Sequence, residues 1–518
     1  MSNGQVVQDT ALFINSTIHS IYELVDSVPG SHLVISYLKT AYQNDPFRVA
    51  LELFLVFFAM KYMFSRKYKP NDNNVVLTEK EIDDLVEEWQ PEPLAPKLTT
   101  YDRMNLEKVP ILTGPQSAKV KIAGHTKPLM NLATFNFLNL TASEQIRAKA
   151  VETLRNYGVG SCGPPGFYGT IDVHMDLERD ISRFLGTDDT IIYAQGFSTI
   201  SSVIPAFAKR GDYLVVDDGV GFAVQKGVQI SRSIVRFYKH NDMEDLERVL
   251  NDIQTEHIKY KKRLTRRFIV TEGLFANYGD IAHLDKLVEL KKKFKYRLIL
   301  DESQSIGVLG NRGAGLTDVF NIDAKEVDMI VGSLANAICS SGGFCSGSVE
   351  VIDHQRLSGS AYCFSASIPA MLAVSASEAF KIIEQQPTLL KELAERASTF
   401  RQVLTHKSLE PFVYLESPDL QSLSPFFHVR IKDSFLQQLP LVKITRETEE
   451  RLLQDVVDEC AAQGVLVTRA KYVYDQELNC PKASIKIHAT IGLNKKENEK
   501  AANVVKVAII KIFSKWRK

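Results

Sequence analysis

The sequence predicts an α/β chain, with a mostly parallel sheet in a large domain, a smaller α+β domain after it, and one apolar helix ahead of both. Three observations carry this. Between about 190 and 333, short apolar runs alternate with helical stretches, the element order that builds a parallel sheet covered on both faces. After about 370 a long helical stretch leads into alternating strand patterns. Ahead of everything, residues 47–64 (FRVALELFLVFFAMKYMF) form one dense apolar run. The resulting boundaries are an N-terminal segment 1–46, a membrane helix 47–64, an amphipathic helix and linker 65–100, a large domain 101–370, and a connecting helix with a small domain 371–518.

At 518 residues the chain is too long for one ordinary core. Hydrophobic residues make up 45% and charged residues 24%, a globular balance. Lys+Arg and Asp+Glu stand at 62 each, so no global field draws the chain to nucleic acid. Cys162, Cys339, Cys345, Cys363, Cys460 and Cys480 form no CxxC pair and no zinc spacing. They read as reduced thiols facing the cytosol, with no metal site.

Eighteen helical residues rise about 27 Å, close to a thin bilayer core. Arg48 and Glu52 share a helix face at i, i+4 and can neutralise each other, and Lys61 can snorkel from the other end. The basic flank Lys61, Arg66, Lys67 and Lys69 places that side in the cytosol by the positive-inside rule. Residues 1–46 are then lumenal, with Asn15-Ser16-Thr17 as a glycosylation sequon. No signal-peptide layout is present. Further on, Thr78 with Glu81 three residues later signals a capped helix start, and Pro91, Pro93 and Pro96 stop that helix.

In the body, strands are expected at 190–194 (TIIYA), 212–218, 266–273, 296–302 and 328–333, with helices at 243–254 and Leu284–Phe294. The lysine-rich last turn of the latter suits the helix dipole. The small domain is expected to carry strands at 426–431 (FFHVRI), 465–470 (VLVTRA) and 484–492 (SIKIHATIG).

Four phrases, in order, resemble the α-oxoamine synthases, fold-type-I pyridoxal-phosphate enzymes that condense an amino acid with an acyl thioester. They are YGVGSCGPPGFYGT (157–170) followed by His174, TEGLFANYGDIAHL (271–284), LILDESQSIGVLG (298–310) and FSASIP (364–369). The resemblance runs from about residue 94 to the end and implies a fold-type-I pyridoxal-phosphate transferase fold. It also implies four cofactor-handling residues: a Schiff-base lysine, an aspartate for the pyridinium nitrogen, a stacking histidine, and a second histidine near the phenolic oxygen.

Only Asp301 stands at its implied place, as a vestige. GSLANAICSSGGF (332–344) puts Asn336 at the lysine position, and an amide nitrogen forms no Schiff base. Gln304 and Gly221 fill the two histidine positions. Pro165 stands where the family usually has an arginine in the glycine loop. This is the pattern of a chain without its own catalytic residues.

Within the family the chain is similar to the lysine-lacking partner of eukaryotic two-chain members, which make 3-ketodihydrosphingosine from L-serine and palmitoyl-CoA. EEWQPEPL (87–94), GGFCSG (342–347) and VIDHQRLSG (351–359) carry that similarity. It implies a heterodimer with a lysine-bearing catalytic chain that holds pyridoxal 5′-phosphate covalently, while this chain holds none. It also implies small activating subunits, Orm-type regulators and membrane lipid as partners, no nucleic acid, and an endoplasmic reticulum location.

In that arrangement Tyr157, Cys162, Gly163, Phe167, Tyr168, Gly169 and Thr170, with Phe364, Ser365 and Ser367, face the partner's site and shape substrate choice. Bland roles stand beside these: Cys162 as a small residue in a tight loop, Asp301 as a strand-end cap, His174 as a core histidine. Two other readings compete. One is an independent enzyme using a distant lysine such as Lys226; the other is a membrane scaffold remote from catalysis.

Overall fold

A computed structural model describes residues 31–65, 77–91, 93–95, 97–416, 423–439 and 444–517. The chain divides into an N-terminal unit, Met1–Lys97, and a body, Leu98–Lys518.

In the N-terminal unit the apolar run forms the helix Pro46–Phe64. Asp45 caps it by accepting from the Arg48 N–H, and Pro46 occupies the first helical position, where its missing N–H costs nothing. Arg48 and Glu52 pair at 2.9 Å, the expected i, i+4 contact. Val49 is the buried residue of this helix, while Leu51, Phe54, Phe57, Phe58, Met63 and Phe64 stand exposed.

The span expected at 47–64 meets a physical obstacle. Arg48, Glu52 and Lys61 interrupt the run, and among the described residues no helix is long and apolar enough to cross a membrane. The segment 1–30 with its sequon, and Arg66, Lys67 and Lys69, lie outside the described residues. The helix Glu79–Glu88 carries the full capping box predicted from Thr78 and Glu81.

In the body the strands run β1 (Lys119–Val120), β2 (Leu129–Asn131), β3 (Asp189–Tyr193), β4 (Tyr213–Asp217), β5 (Ile234–Tyr238), β6 (Arg267–Glu272) and β7 (Arg297–Asp301). They continue as β8 (Met329–Ser333), β9 (Gly343–Gly347), β10 (Val413–Leu415), β11 (Phe426–Ile431), β12 (Val465–Leu466), β13 (Thr468–Arg469) and β14 (Ser484–His488).

The large sheet has the order β3-β9-β8-β7-β6-β4-β5. It is parallel from β8 to β5, and β9 runs antiparallel to both of its neighbours. Every residue of β4, β8 and β9 is buried, so both faces are covered, as the apolar runs require. The helices Asp172–Leu185, Gly196–Phe207, Met243–Lys259, Leu284–Phe294 and Val349–Ser358 pack against it. All five strand expectations in this domain are met within two residues, and both helix expectations are met.

The small domain holds a four-stranded antiparallel sheet, β10-β11-β14-β13. A separate three-stranded sheet, β1-β2-β12, joins residues 119–131 to the C-terminal part of the chain. The expected strand 465–470 is therefore two short strands, one in each sheet. The first residues of the body belong with the C-terminal ones in the same way. Lys108 pairs with Asp458 at 2.6 Å, and Arg469 meets Glu450 at 2.9 Å while also reaching Asn105.

Candidate functional site

The parallel strands end together on one side of the large sheet, where open α/β sheets place their ligands. A cleft of about 300 Å³ lies there, lined among others by Gly196, Phe197, Gly221, Phe222, Glu272, Asp301, Gln304, Ser333 and Asn336. Four residues singled out in the sequence thus meet in one place: Asp301, Gln304, Gly221 and Asn336.

Strand register explains the centre of the cleft. Glu272 and Asp301 are paired across β6 and β7, so two carboxyl groups reach the same end of the sheet. Both are buried. Glu272 takes the Gly221 N–H on Oε1 (2.5 Å) and the Ala276 N–H on Oε2 (2.8 Å). Burial, with Asp301 beside it, pushes the Glu272 carboxyl up to about 8. Burial raises Asp301 as well, against the opposing contribution of Ser303. Asp301 Oδ1 accepts the Ser303 N–H at 2.9 Å, the strand-end capping role weighed for it in the sequence.

Asn336 and Gly221, which the family resemblance sets at the lysine and stacking-histidine positions, are held in ways that would exclude those side chains. Asn336 donates its Nδ2 to the Ser303 carbonyl at 2.8 Å, so its amide holds the loop after β7. At Gly221 an added Cβ would come within 2.9 Å of Glu272 Oε1, so a stacking histidine there would displace a carboxyl held by two N–H groups. Gln304 keeps Oε1 buried with no hydrogen-bond partner among the described residues.

No lysine, arginine or histidine lines the cleft. Its anion-favouring features are the starts of the helices Gly196–Phe207 and Phe222–Ser231, each worth about 0.3–1 kcal/mol to a negative group in typical cases. No cation in the lining joins them, and no lysine is there to form a Schiff base. These residues do not fit a covalently held pyridoxal phosphate. Lys226 supplies no substitute: it is outside the lining, its Nζ 5.0 Å from the centre of the Phe222 ring and engaged with Gln476 O at 2.9 Å.

The second predicted group also comes together. The glycine loop 157–170 and the segment 364–368 are fastened by three contacts. The Ser367 N–H donates to Gly163 O (3.0 Å), Ser161 Oγ reaches Ser367 O (3.4 Å), and His174 Nε2 meets Ile368 O (2.6 Å). His174 Nδ1 accepts the Ile171 N–H at 3.2 Å, which makes the ring neutral with its proton on Nε2. Burial lowers its pKa in the same sense. It is the core histidine weighed for it.

Gly169 is obligatory, because an added Cβ would collide with the Gly163 carbonyl. Thr170 Oγ1 donates to Pro165 O at 3.1 Å, and the Tyr157 hydroxyl to Asp172 at 3.0 Å. Thr170, Ser365 and Ser367 share one small crevice with His174 and Tyr362. Cys162 sits exposed with φ of 56°, and Phe167, Tyr168 and Phe364 stand exposed on the same pinned segments.

Sequence reasoning missed Glu272 and His240. His240 lies between Asp217 (2.9 Å) and Asp280 (3.2 Å) and stacks on Tyr278. Burial would lower its pKa, but those two carboxylates push it up to about 10. Asp280 belongs to the GD of the 271–284 phrase, which was the available signal. Glu272 was visible as the middle residue of TEG.

Sheet order, the placement of the cleft and the fold around it define an aminotransferase-type chain. Residues 127–505 match the family Aminotransferase class I and II, and the chain belongs to that pyridoxal-phosphate fold family. Within it the relatives are more particular. Serine palmitoyltransferase 1 of Dictyostelium discoideum is 41% identical over 449 residues, covering 87% of this chain and 91% of the relative. Serine palmitoyltransferase 1 of Saccharomyces cerevisiae is 37% identical over 525 residues, covering 94% and 93%. The chain is a member of the serine palmitoyltransferase 1 family. A solved serine palmitoyltransferase carrying pyridoxal phosphate as its internal aldimine superposes with a TM-score of 0.68 at 19% identity, over 81% of this chain and 99% of that one. It shares the fold.

Proposed function

We propose that this chain is the non-catalytic but required subunit of a serine palmitoyltransferase, which condenses L-serine with palmitoyl-CoA to 3-ketodihydrosphingosine. The observation that carries the reading is Asn336, an amide tied to Ser303 where the family's lysine would stand. Gln304 and Gly221 stand at the two histidine positions of the same cation-free cleft. A lysine-bearing partner holds pyridoxal phosphate, which supplies the electron sink for the condensation. This chain contributes the pinned glycine loop with 364–368, which presents Phe167, Tyr168 and Phe364 outward. Those side chains are suited to bury against the partner near its substrates.

The helix Pro46–Phe64 attaches the complex to the endoplasmic reticulum membrane, with the body facing the cytosol. Support comes from its exposed aromatic and aliphatic surface and from the Arg48–Glu52 pair, which lowers the cost of those charges in lipid. Small activating subunits and Orm-type regulators belong to the same complex.

The test is product formation by the purified chain alone, by its Asn336→Lys variant, and by the chain co-expressed with a lysine-bearing relative. Only the co-expressed pair is expected to form 3-ketodihydrosphingosine. Product from the isolated chain or from Asn336→Lys would refute the reading, since the variant still lacks both histidines and a free Gly221 face.

A further inference from the structure

The cleft at the ends of β6, β7 and β8 is poorly matched to the anionic cofactor of its fold, and the same polar lining defines what it does match. Its polar side chains include a cluster of acceptors. Asp301 and Glu272 bring two buried carboxyl groups. Gln304 Oε1 has no donor among the described residues. Asn336 gives one N–H to Ser303 O, which leaves its oxygen and a second N–H. No cationic side chain is in the lining. The cation electrically coupled to Glu272, Lys486 on β14, lies outside that lining. It is held over the rings of Phe135 and Phe426, 5.4 and 5.0 Å from their centres.

We propose that this cleft binds a small primary ammonium compound that carries neither carboxylate nor phosphate, of the amino-alcohol class. An ammonium group brings three donors and a positive charge to a site that offers acceptors and carboxyl groups. Phe197, half exposed and 5.7 Å from the Phe222 ring, gives a cation or a short carbon skeleton an aromatic wall. The hydroxyls of Ser303 and Ser333 can exchange hydrogen bonds with ligand hydroxyls. A carboxylate or phosphate on the ligand would meet Asp301 with no cation in the lining to receive it. A metal ion is not favoured: the one cluster of three metal-capable groups among the described residues is Asp217, Asp218 and His240, outside the cleft. The proposal does not rest on the subunit role and goes beyond it.

The experiment uses the complex purified through a tag on this chain and treated with borohydride, so that any covalent cofactor elsewhere is fixed and inert. Saturation-transfer NMR then measures binding of 2-amino-1,3-propanediol, of L-serine and of pyridoxal 5′-phosphate. The diol is expected to bind saturably, and Asp301→Asn to weaken it about tenfold, as loss of a charged hydrogen-bond acceptor does. Gln304→Leu is expected to weaken it as well and provides a second reading if Asp301→Asn folds poorly. Competition by pyridoxal phosphate that is relieved by the same variants would overturn the proposal. So would absent diol binding, or diol binding indifferent to both variants.

Discussion

At the level of single residues, Asn336, Gly221 and Glu272 fit one another. Asn336 ties down Ser303, Gly221 makes room for the Glu272 carboxyl, and Glu272 closes on the Gly221 and Ala276 N–H groups. Restoring one residue leaves the others opposed to it. Burial holds the carboxyls of Glu272 and Glu302 up to about 8 and about 7, against 4.5 in an unfolded chain. Groups raised on folding stabilise fully below pH 4.5, and that contribution is lost as pH rises through their folded values. The denaturation midpoint is therefore expected to fall between pH 5 and 8.5. Glu272→Gln should flatten the upper part of that fall, between about pH 7 and 8, by an amount on the order of 1 kcal/mol. An identical pH profile in the variant would refute this.

The residues legible in the sequence were those in ordered phrases, where a missing lysine or histidine is visible by position. Glu272 was legible only as a letter in TEG. Its role depends on β6–β7 register, which brings it beside Asp301 from 29 positions away.

At the level of elements, the glycine loop and 364–368 act as one piece because Ser367, Ser161 and His174 bridge them. Gly169→Ala would force its Cβ into the Gly163 carbonyl. It is expected to cost about 1–3 kcal/mol, in the range of overpacking, and to expose the loop to limited proteolysis. Unchanged stability and unchanged cleavage would argue against that close approach.

For the N-terminal helix, Phe54→Asp with Phe58→Asp places charge on its exposed aromatic surface, where the two rings stack at 6.4 Å. The pair should shift the chain from the membrane to the soluble fraction on flotation; continued flotation would exclude this helix as the attachment. Strands with unbroken apolar runs were readable in sequence. The missed β5 (IVRFY) is half-exposed, and the missed β9 (GFCSG) is rich in small residues. In β9, Phe344 packs over Gly332 in a way no Cβ would permit. The run 465–470 was misread because its halves enter different sheets, a division set by distant partners.

At the level of the whole molecule, the fold was legible because the order of strands, helices and phrases is a property of the sequence. The placement of β1 and β2 with β12 was not, since it joins segments more than 330 residues apart. The body keeps the sheet, the cleft and the pinned loops of its family while the cleft itself lacks every cation that covalent cofactor chemistry needs. The central claim is that this scaffold serves a partner's active site. Borohydride trapping on the tagged complex, followed by peptide mapping for pyridoxyl-lysine, tests it most directly. The account predicts label confined to a co-purifying second chain; label on any lysine of this chain would contradict it.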